Sequence, residues 1–590
     1  MGLPCKMTMA KYRIESRRSS LVPQSEAAWV SLALAVIWFA LFFQLGNLPL
    51  LQPDEGRNAE VAREMKESGA WLSPSYDGIA YLDKPAFYFK AVALSLAAFG
   101  NNETAARLPS AIFGLATLAL AYGFCRRVYG ARCAIMAVVI IATMPLFVVL
   151  SRTVIFDIAL AFFVVAAIFA GYIAEEYEGK SRRNWYLLGA VAAGFATLVK
   201  GPVGFLIPGL VLFVFHRVEG RRGVWKRFFA PLNLLAFLGV TLPWFIGLSL
   251  QHPDFPYYGL VEESFHRFTT TTFHRSQPFY FYALIVAGLF LPWSFILPEA
   301  GVAAWKNKKF MTSADRLCLV WALVVVIFFS LSKSKLPGYI LTVTVACGIL
   351  VARFFQQAMT NPDGKAARII CRAAITLAVL CFVVAATAIY LSPRMGSLAK
   401  PMRLPVEDAG ELGRHFITPI ILLSVVGMLG LLARFRRDAG LCVVIFAVFP
   451  LLLFTLNLGA IQVVFNIKSA RQLAQQMPPL PPETGLVFLE CFPNGLPFYL
   501  NRTATLMTKD GSEITSSSNY ILFRLRNDPN WPTNLVPVKE LDHWLAARTH
   551  PVYLLCHSDN RARLEAVAGI QKTNLQQLTP QYIGVLLPAP

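Results

Sequence analysis

Apolar residues in this chain fall into long blocks separated by short polar connectors. A helix that crosses a bilayer needs about 20 mostly apolar residues. Blocks of about that length lie near 27–45, 105–124, 133–150, 155–174, 185–199, 203–216, 228–249, 279–297, 317–331, 338–353, 370–391, 417–433 and 440–458. The pattern predicts an α-helical polytopic membrane protein with about thirteen transmembrane helices. The first block lacks a small-residue cleavage site and reads as an uncleaved span.

The connectors alternate in character. Lys and Arg crowd into Arg126–Arg132, Lys180–Arg183, Arg217–Arg227, Lys306–Arg316, Arg353–Arg372 and Arg434–Arg437, and into the segment before the first block. Basic loops stay on the cytoplasmic side, so the N-terminus is expected there. The intervening loops, including 47–104 and 250–278, are expected on the opposite, periplasmic side. Both are long, and long ordered loops commonly carry function. Within the first, PDEGRNAEVAREMKESGAW has helical periodicity, with Asp54 as the expected N-cap.

Beyond about residue 465 the pattern changes. VFLECF, NYILFRL, PVYLLC and YIGVLLP read as short strands, and VKELDHWLAAR and RARLEAVAGI as amphipathic helices. The expected organisation is a cytoplasmic tail over 1–26, a membrane domain over 27–464 and a soluble periplasmic α/β domain over 465–590.

Composition sharpens this picture. Of 590 residues 56% are hydrophobic and only 15% charged, with a mean hydropathy of +0.53. A soluble chain of this size needs more polar surface. The net charge of +20 sits in connector clusters, which marks membrane topology rather than a nucleic-acid footprint. The cysteines form no CxxC pair, and most lie in apolar blocks as small buried hydrophobes. Cys491 and Cys556 lie in the polar segment, where a disulfide is an open possibility.

Chemistry-bearing residues gather at the outer ends of the spans. Asp54 and Glu55 follow the first block and can accept protons, accept hydrogen bonds or hold a cation, although capping is the competing reading. Arg57 can pair with Asp54 or reach a phosphate, whereas Glu64 reads as surface helix charge. Asp83 and Lys84 lie in YLDKPAFYFK. Arg152 and Asp157 flank the junction of two blocks, with a structural ion pair as the plain alternative. Lys200 ends LVK, and His266, Arg267, His274 and Arg275 lie in the second long loop. A histidine there can bind metal, but no HxH or HExxH accompanies it. Lys333, Lys335 and Tyr339 follow in SKSKLPGYI. Outer loops are normally poor in Lys and Arg. This set is therefore suited to hold a sugar and an anionic phosphate at the membrane surface. A transporter would place charge within the spans and commonly shows internal repeats, neither of which is visible here.

Taken in order, PDEGRNAEVAREM, YLDKPAFYFK, ARLPSA, Asp157, LVKGP, FHRF with HRSQPFYFY, and SKSKLPGYIL resemble the GT-C membrane glycosyltransferases. The nearer likeness is to bacterial aminoarabinose lipid A transferases and the wider protein O-mannosyltransferase-like group, and GLPFYLNR adds to it. The resemblance implies a GT-C fold and a polyprenyl-phosphate sugar donor. It also implies an acceptor that is lipid A, another envelope glycolipid or, alternatively, protein. It implies an active site on the outer face of a bacterial inner membrane. Asp54 then matches the essential first-loop aspartate, with Glu55 beside it and Asp157 as a second acidic residue. Lys84, Arg57, Arg267, Lys333, Lys335 and Tyr339 become the donor-phosphate set. A divalent metal ion is the one cofactor considered, with Asp83, where relatives usually carry Glu, and His266 as its candidate ligands.

Overall fold

The computed structural model describes residues 25–270, 275–306, 311–397, 406–436, 438–515, 518–527, 532–567 and 575–589. Among them, eight helices are long and apolar enough to cross a membrane, or nine if one bent pair counts as a span. The expected spans near 27–45 and 203–216 appear as shorter helices, Glu26–Leu41 and Val203–Val218. That near 185–199 is the end of Gly179–Lys200, whose first turns are charged. The helix count is therefore lower by length alone than the hydropathy blocks imply.

Two blocks are broken. The block near 133–150 divides into Ala131–Ala142 and Pro145–Ser151, bent by 71°, where Pro145 starts a new helix because its ring suits a first turn. The block near 279–297 is not one helix. It forms Phe281–Leu289, a 3-10 turn at Trp293–Phe295 and then Leu297–Lys306. Pro292 lacks the N–H that a continuous helix needs. Elsewhere the ends are capped as the sequence implies. Asn102 accepts from the Ala105 amide at the start of Glu103–Tyr129, and Thr312 with Asp315 forms a capping box before Ser313–Leu331.

The first outer loop is largely folded. It contains the helix Asp54–Ser68, a small hairpin pairing Ser75–Tyr76 with Ile79–Ala80, and the half-buried helix Phe87–Phe99. Asp77 and Gly78 both take positive φ, the Asp-Gly signature of a tight hairpin turn. Pro53, not Asp54, occupies the N-cap, so Asp54 is the first helical residue. Glu64 is buried rather than a surface charge, and accepts from the Asp77 and Gly78 amides and from Ser75. The helix Phe87–Phe99 spans about 20 Å, too short to cross the bilayer, and packs chiefly against the helices Asp54–Ser68 and Glu103–Tyr129.

The C-terminal unit carries a six-stranded sheet in the spatial order Leu535–Pro537, Thr505–Thr508, Gly485–Leu489, Val552–His557, Tyr582–Leu587, Gln576–Thr579. The first four strands are mutually parallel and the last two antiparallel. NYILFRL, read above as a strand, is the helix Asn519–Asn527. Its first amides have a partner in another element, described below, and that tertiary anchor overrides local propensity. Cys491 and Cys556 are free thiols.

The sheet unit docks on the first outer loop. The Tyr76 hydroxyl donates to Asn494 Oδ1 at 2.7 Å, and Asp77 Oδ1 accepts from the Ala504 amide at 2.7 Å. Tyr499 accepts from the Leu50 amide at 2.8 Å. Gly56 permits close approach, since a Cβ there would lie 2.7 Å from Gly495 Cα.

Candidate active site

Glu55 shows how the acidic helix is held. Its carboxylate accepts from Arg107 Nε and Nη2 at 2.9 and 2.8 Å, and from the amides of Val154 at 2.9 Å and Leu51 at 3.0 Å. Arg107 also donates to the carbonyls of Leu45, Leu48 and Pro49. Both groups are buried, so this saturated pair ties the end of the first span to two others. Glu55 is thereby a positioning residue with no free oxygen for catalysis. Its neighbour Asp54 is different. Its side chain is 51% exposed and bonds Arg57 at 2.7 Å. Burial pushes the Asp54 carboxyl up. Arg57 outweighs that effect, Arg275 and Arg267 add to it, and the net shift is downward. Asp54 is an anion held at the edge of a cationic site.

Arg267, whose charge reaches Asp54, lines a cavity of about 460 Å³. Asp83, Lys84, Lys200, Glu263, Arg267 and Tyr339, with Ser264, Ser332 and Ser334, form its polar lining, and Phe245, Phe265 and Phe328 belong to its apolar walls. Lys84 and Arg267 both pair with Glu263, and Lys84 Nζ also donates to the Asp83 carbonyl at 2.6 Å. Lys200 Nζ reaches Asp157 Oδ1 at 2.6 Å and lies 4.6 Å from the Tyr339 ring centre. Burial lowers the Lys84 ammonium, and the pull of Glu263 only partly restores it. Tyr339 runs the other way. Burial alone would raise its phenol, but Arg267 and then Lys200 bring it down to about 8. Three cations, Lys84, Lys200 and Arg267, therefore share the head of an apolar chamber with the carboxylates Asp83 and Glu263, while Asp157 pairs with Lys200. That arrangement suits a phosphate on a lipid tail.

Asp83 clasps the C-terminal unit. Its oxygens accept from the Tyr258 hydroxyl and from the amides of Asn519 and Tyr520, at 2.7 to 2.8 Å. These amides open the helix Asn519–Asn527, where a carboxylate is favoured. Asp83 is thus occupied, and His266 pairs only with Glu262 at 3.2 Å. Among the described residues no three His, Cys, Asp or Glu side chains converge on one point. His274 lies outside the described residues.

The outer-end cations do not all gather. Arg152 donates to the carbonyls of Phe43 at 2.7 Å and Ala40 at 3.3 Å, so the alternative reading, an Arg152–Asp157 ion pair, does not hold. Lys335 Nζ donates to the carbonyls of Ser332 and Gln277, and Lys333 is exposed. Neither lines the cavity. Their backbones instead bond the second outer loop, through Phe268 and Arg275. Arg57 stays with Asp54 and Tyr81. Lys200 takes its place among the outer-end cations expected to share a pocket, whereas sequence reasoning missed Glu263, although the spacing of Glu263 and Arg267 marks an i,i+4 pair.

Comparison with known proteins places this geometry. Residues 83–246 match the family described as dolichyl-phosphate-mannose-protein mannosyltransferase. The chain is 30% identical over 347 residues to an undecaprenyl phosphate-alpha-4-amino-4-deoxy-L-arabinose arabinosyl transferase of Edwardsiella ictaluri, covering 58% of this chain and 62% of that protein. A second such transferase, of Pseudomonas fluorescens, is 29% identical over 58% of each chain. The matches thus span about three fifths of these relatives. Over almost the whole chain, the fold matches the crystal structure of ArnT from Cupriavidus metallidurans bound to undecaprenyl phosphate. The TM-score is 0.79 and the identity 27%, with 95% of this chain and 97% of that one covered. Its apo form gives a TM-score of 0.76. Shared over nearly their full lengths, this architecture gives the chain the GT-C fold of that protein, with several helices long and apolar enough to cross a membrane.

Proposed function

We propose that this protein is a glycosyltransferase that moves 4-amino-4-deoxy-L-arabinose, or a closely similar sugar, from undecaprenyl phosphate to lipid A on the periplasmic face of the inner membrane. The observation that carries the proposal is the cavity itself, with Lys84, Lys200 and Arg267 above apolar walls, and Asp54 within electrostatic reach of Arg267. The outward orientation is supported by the basic clusters. Arg126 and Arg127, for example, end the helix Glu103–Tyr129, at the opposite end from Arg107.

The chemistry follows from charge. An anionic oxygen of an acceptor phosphate attacks the anomeric carbon, a new C–O bond forms, and the bond to the donor phosphate breaks. The donor diester becomes a monoester as the acceptor monoester becomes a diester, so net charge is conserved and no proton need move. Negative charge grows on the leaving oxygen, where Lys84, Lys200 and Arg267 stabilise it. The anionic Asp54 offsets positive charge at the sugar and orients the acceptor.

The test is turnover by the full chain in proteoliposomes with undecaprenyl-phosphate aminoarabinose and lipid A, read by mass spectrometry. Wild type is expected to add the sugar to lipid A. Asp54→Asn and Lys84→Ala are each expected to lose at least about 100-fold in kcat/KM, the scale of losing one stabilising group. Full activity in both variants, or flipping of the donor without transfer, would refute the proposal.

A further inference from the structure

A second cleft, of about 400 Å³, begins at Gln52 and Pro53, immediately before Asp54. Its character is unlike that of the donor cavity. Amides and hydroxyls dominate its polar lining, with Gln52, Asn466, Gln472, Gln581 and Tyr582 among them. Lys468 is the one formally charged side chain among its described lining residues. None of the phenylalanines that line the donor cavity takes part. Among the described residues, the side-chain amides of Gln52, Asn466, Gln472 and Gln581 have no hydrogen-bond partner, and the Lys468 ammonium pairs with no carboxylate. Lys468, Gln472 and Gln581 are exposed and Gln52 and Asn466 half-buried, so a ligand entering the cleft meets donors, acceptors and one cation that only water holds, which matches a polyhydroxylated ring that carries one phosphate.

Four parts of the chain build the cleft, one of them the single residue Asn494 in the loop after the strand Gly485–Leu489. The segment before Asp54 supplies Gln52, and the end of the last apolar helix, Leu458–Ile467, supplies Asn466 and Lys468. The turn between the strands Gln576–Thr579 and Tyr582–Leu587 supplies Gln581. These parts are held in register. The Gln52 amide donates to the Lys468 carbonyl at 2.9 Å, and Tyr499 of the sheet unit accepts from the Leu50 amide at 2.8 Å and donates to Glu103 at 3.2 Å. Arg471, just past Lys468, pairs with the same Glu103 at 3.2 Å. On one side Asp54 adjoins the cleft through Pro53. On the other it feels Arg267 of the donor cavity.

We infer that this cleft binds the phosphorylated sugar headgroup of the acceptor lipid, with Lys468 meeting its phosphate and the Gln52 and Gln581 amides its hydroxyls. The C-terminal sheet unit then has a role in the reaction, as one wall of the acceptor site. The inference rests on the proposed transfer to lipid A. It differs from it in what must be measured, because acceptor binding is read without donor and without turnover.

The experiment uses the full chain in lipid nanodiscs. Binding of lipid A, of dephosphorylated lipid A and of undecaprenyl phosphate is measured for wild type, Lys468→Gln, Lys468→Arg and Gln52→Ala/Gln581→Ala. A charge-assisted hydrogen bond is the strong kind, so Lys468→Gln is expected to weaken lipid A binding about tenfold. It should leave dephosphorylated lipid A and undecaprenyl phosphate at wild-type affinity, and Lys468→Arg should restore most of the loss. The double glutamine variant is expected to weaken both forms of lipid A. Wild-type affinity of Lys468→Gln for lipid A would overturn the inference. So would an equal loss of undecaprenyl phosphate binding, or failure of wild type to bind lipid A. Lack of sugar transfer by wild type, with Lys468-dependent lipid A binding intact, would instead overturn the proposed function and leave the cleft assignment standing.

Discussion

Lys200 separates two readings of the cavity most sharply. Its ammonium sits 2.6 Å from Asp157, with side-chain exposures of 12% and 7%. Removing one partner of such a pair leaves the other charge buried, at a cost of about 3–5 kcal/mol. Lys200→Met alone should therefore unfold at markedly lower temperature, and loss of activity in it would be ambiguous. Lys200→Met/Asp157→Asn removes both charges and keeps the volumes. Replacing a buried pair by neutral groups is often nearly cost-free, so this variant should recover most of the lost stability. What it cannot recover is the contact with donor phosphate. A hydrogen bond to a charged group contributes about 1.5–3 kcal/mol, and 1.4 kcal/mol is about tenfold in affinity. The double variant should thus bind undecaprenyl phosphate roughly ten- to a hundredfold more weakly at near wild-type stability. Thermal unfolding in detergent and equilibrium binding of undecaprenyl phosphate to the same preparations measure the two quantities. Wild-type affinity in the stabilised double variant would refute a phosphate role and leave Lys200 only as the counter-ion of Asp157.

Tyr339 carries a pH prediction. Its phenol is brought down to about 8 by Arg267 and Lys200 despite burial, so it is neutral below that pH and anionic above it. The phenolate competes with donor phosphate for the same two cations. Undecaprenyl phosphate affinity should fall as pH rises through about 8, and Tyr339→Phe should abolish that inflection in a binding titration. Arg107→Ala leaves the fully desolvated Glu55 without its cation, and should cost about 3–5 kcal/mol. In a denaturation experiment Arg107→Ala/Glu55→Gln should recover part of this loss, which wild-type stability of the single variant would contradict.

Several parts of the site are local in origin and were readable in the chain. Asp54 and Arg57 lie three residues apart on one helix and pair as spaced. Asp54 was nonetheless placed one position off its helical role, because Pro53 takes the cap. Glu55 reads like a partner in catalysis from sequence, since nothing near it in the chain reveals that Arg107, 52 positions on, saturates it. Lys333 and Lys335 share the outer-end position of Lys200. Backbone pairing with the second outer loop turns them away from the cavity. Asp83 resembled a metal ligand until the helix Asn519–Asn527 supplied its donors.

By itself the sequence determined the solvent of this protein, the rim of the bilayer where its charge collects and the class of chemistry that charge can serve. Hydropathy is a sum over neighbouring residues, and a lipid environment demands it be met within each segment. Only the tertiary structure decided which charges meet. Glu263 with Lys84, Lys200 with Asp157, and Asp83 with the start of a distant helix are contacts between elements far apart in the chain. Each is chosen by a buried charge needing a partner, whichever segment the fold brings within reach.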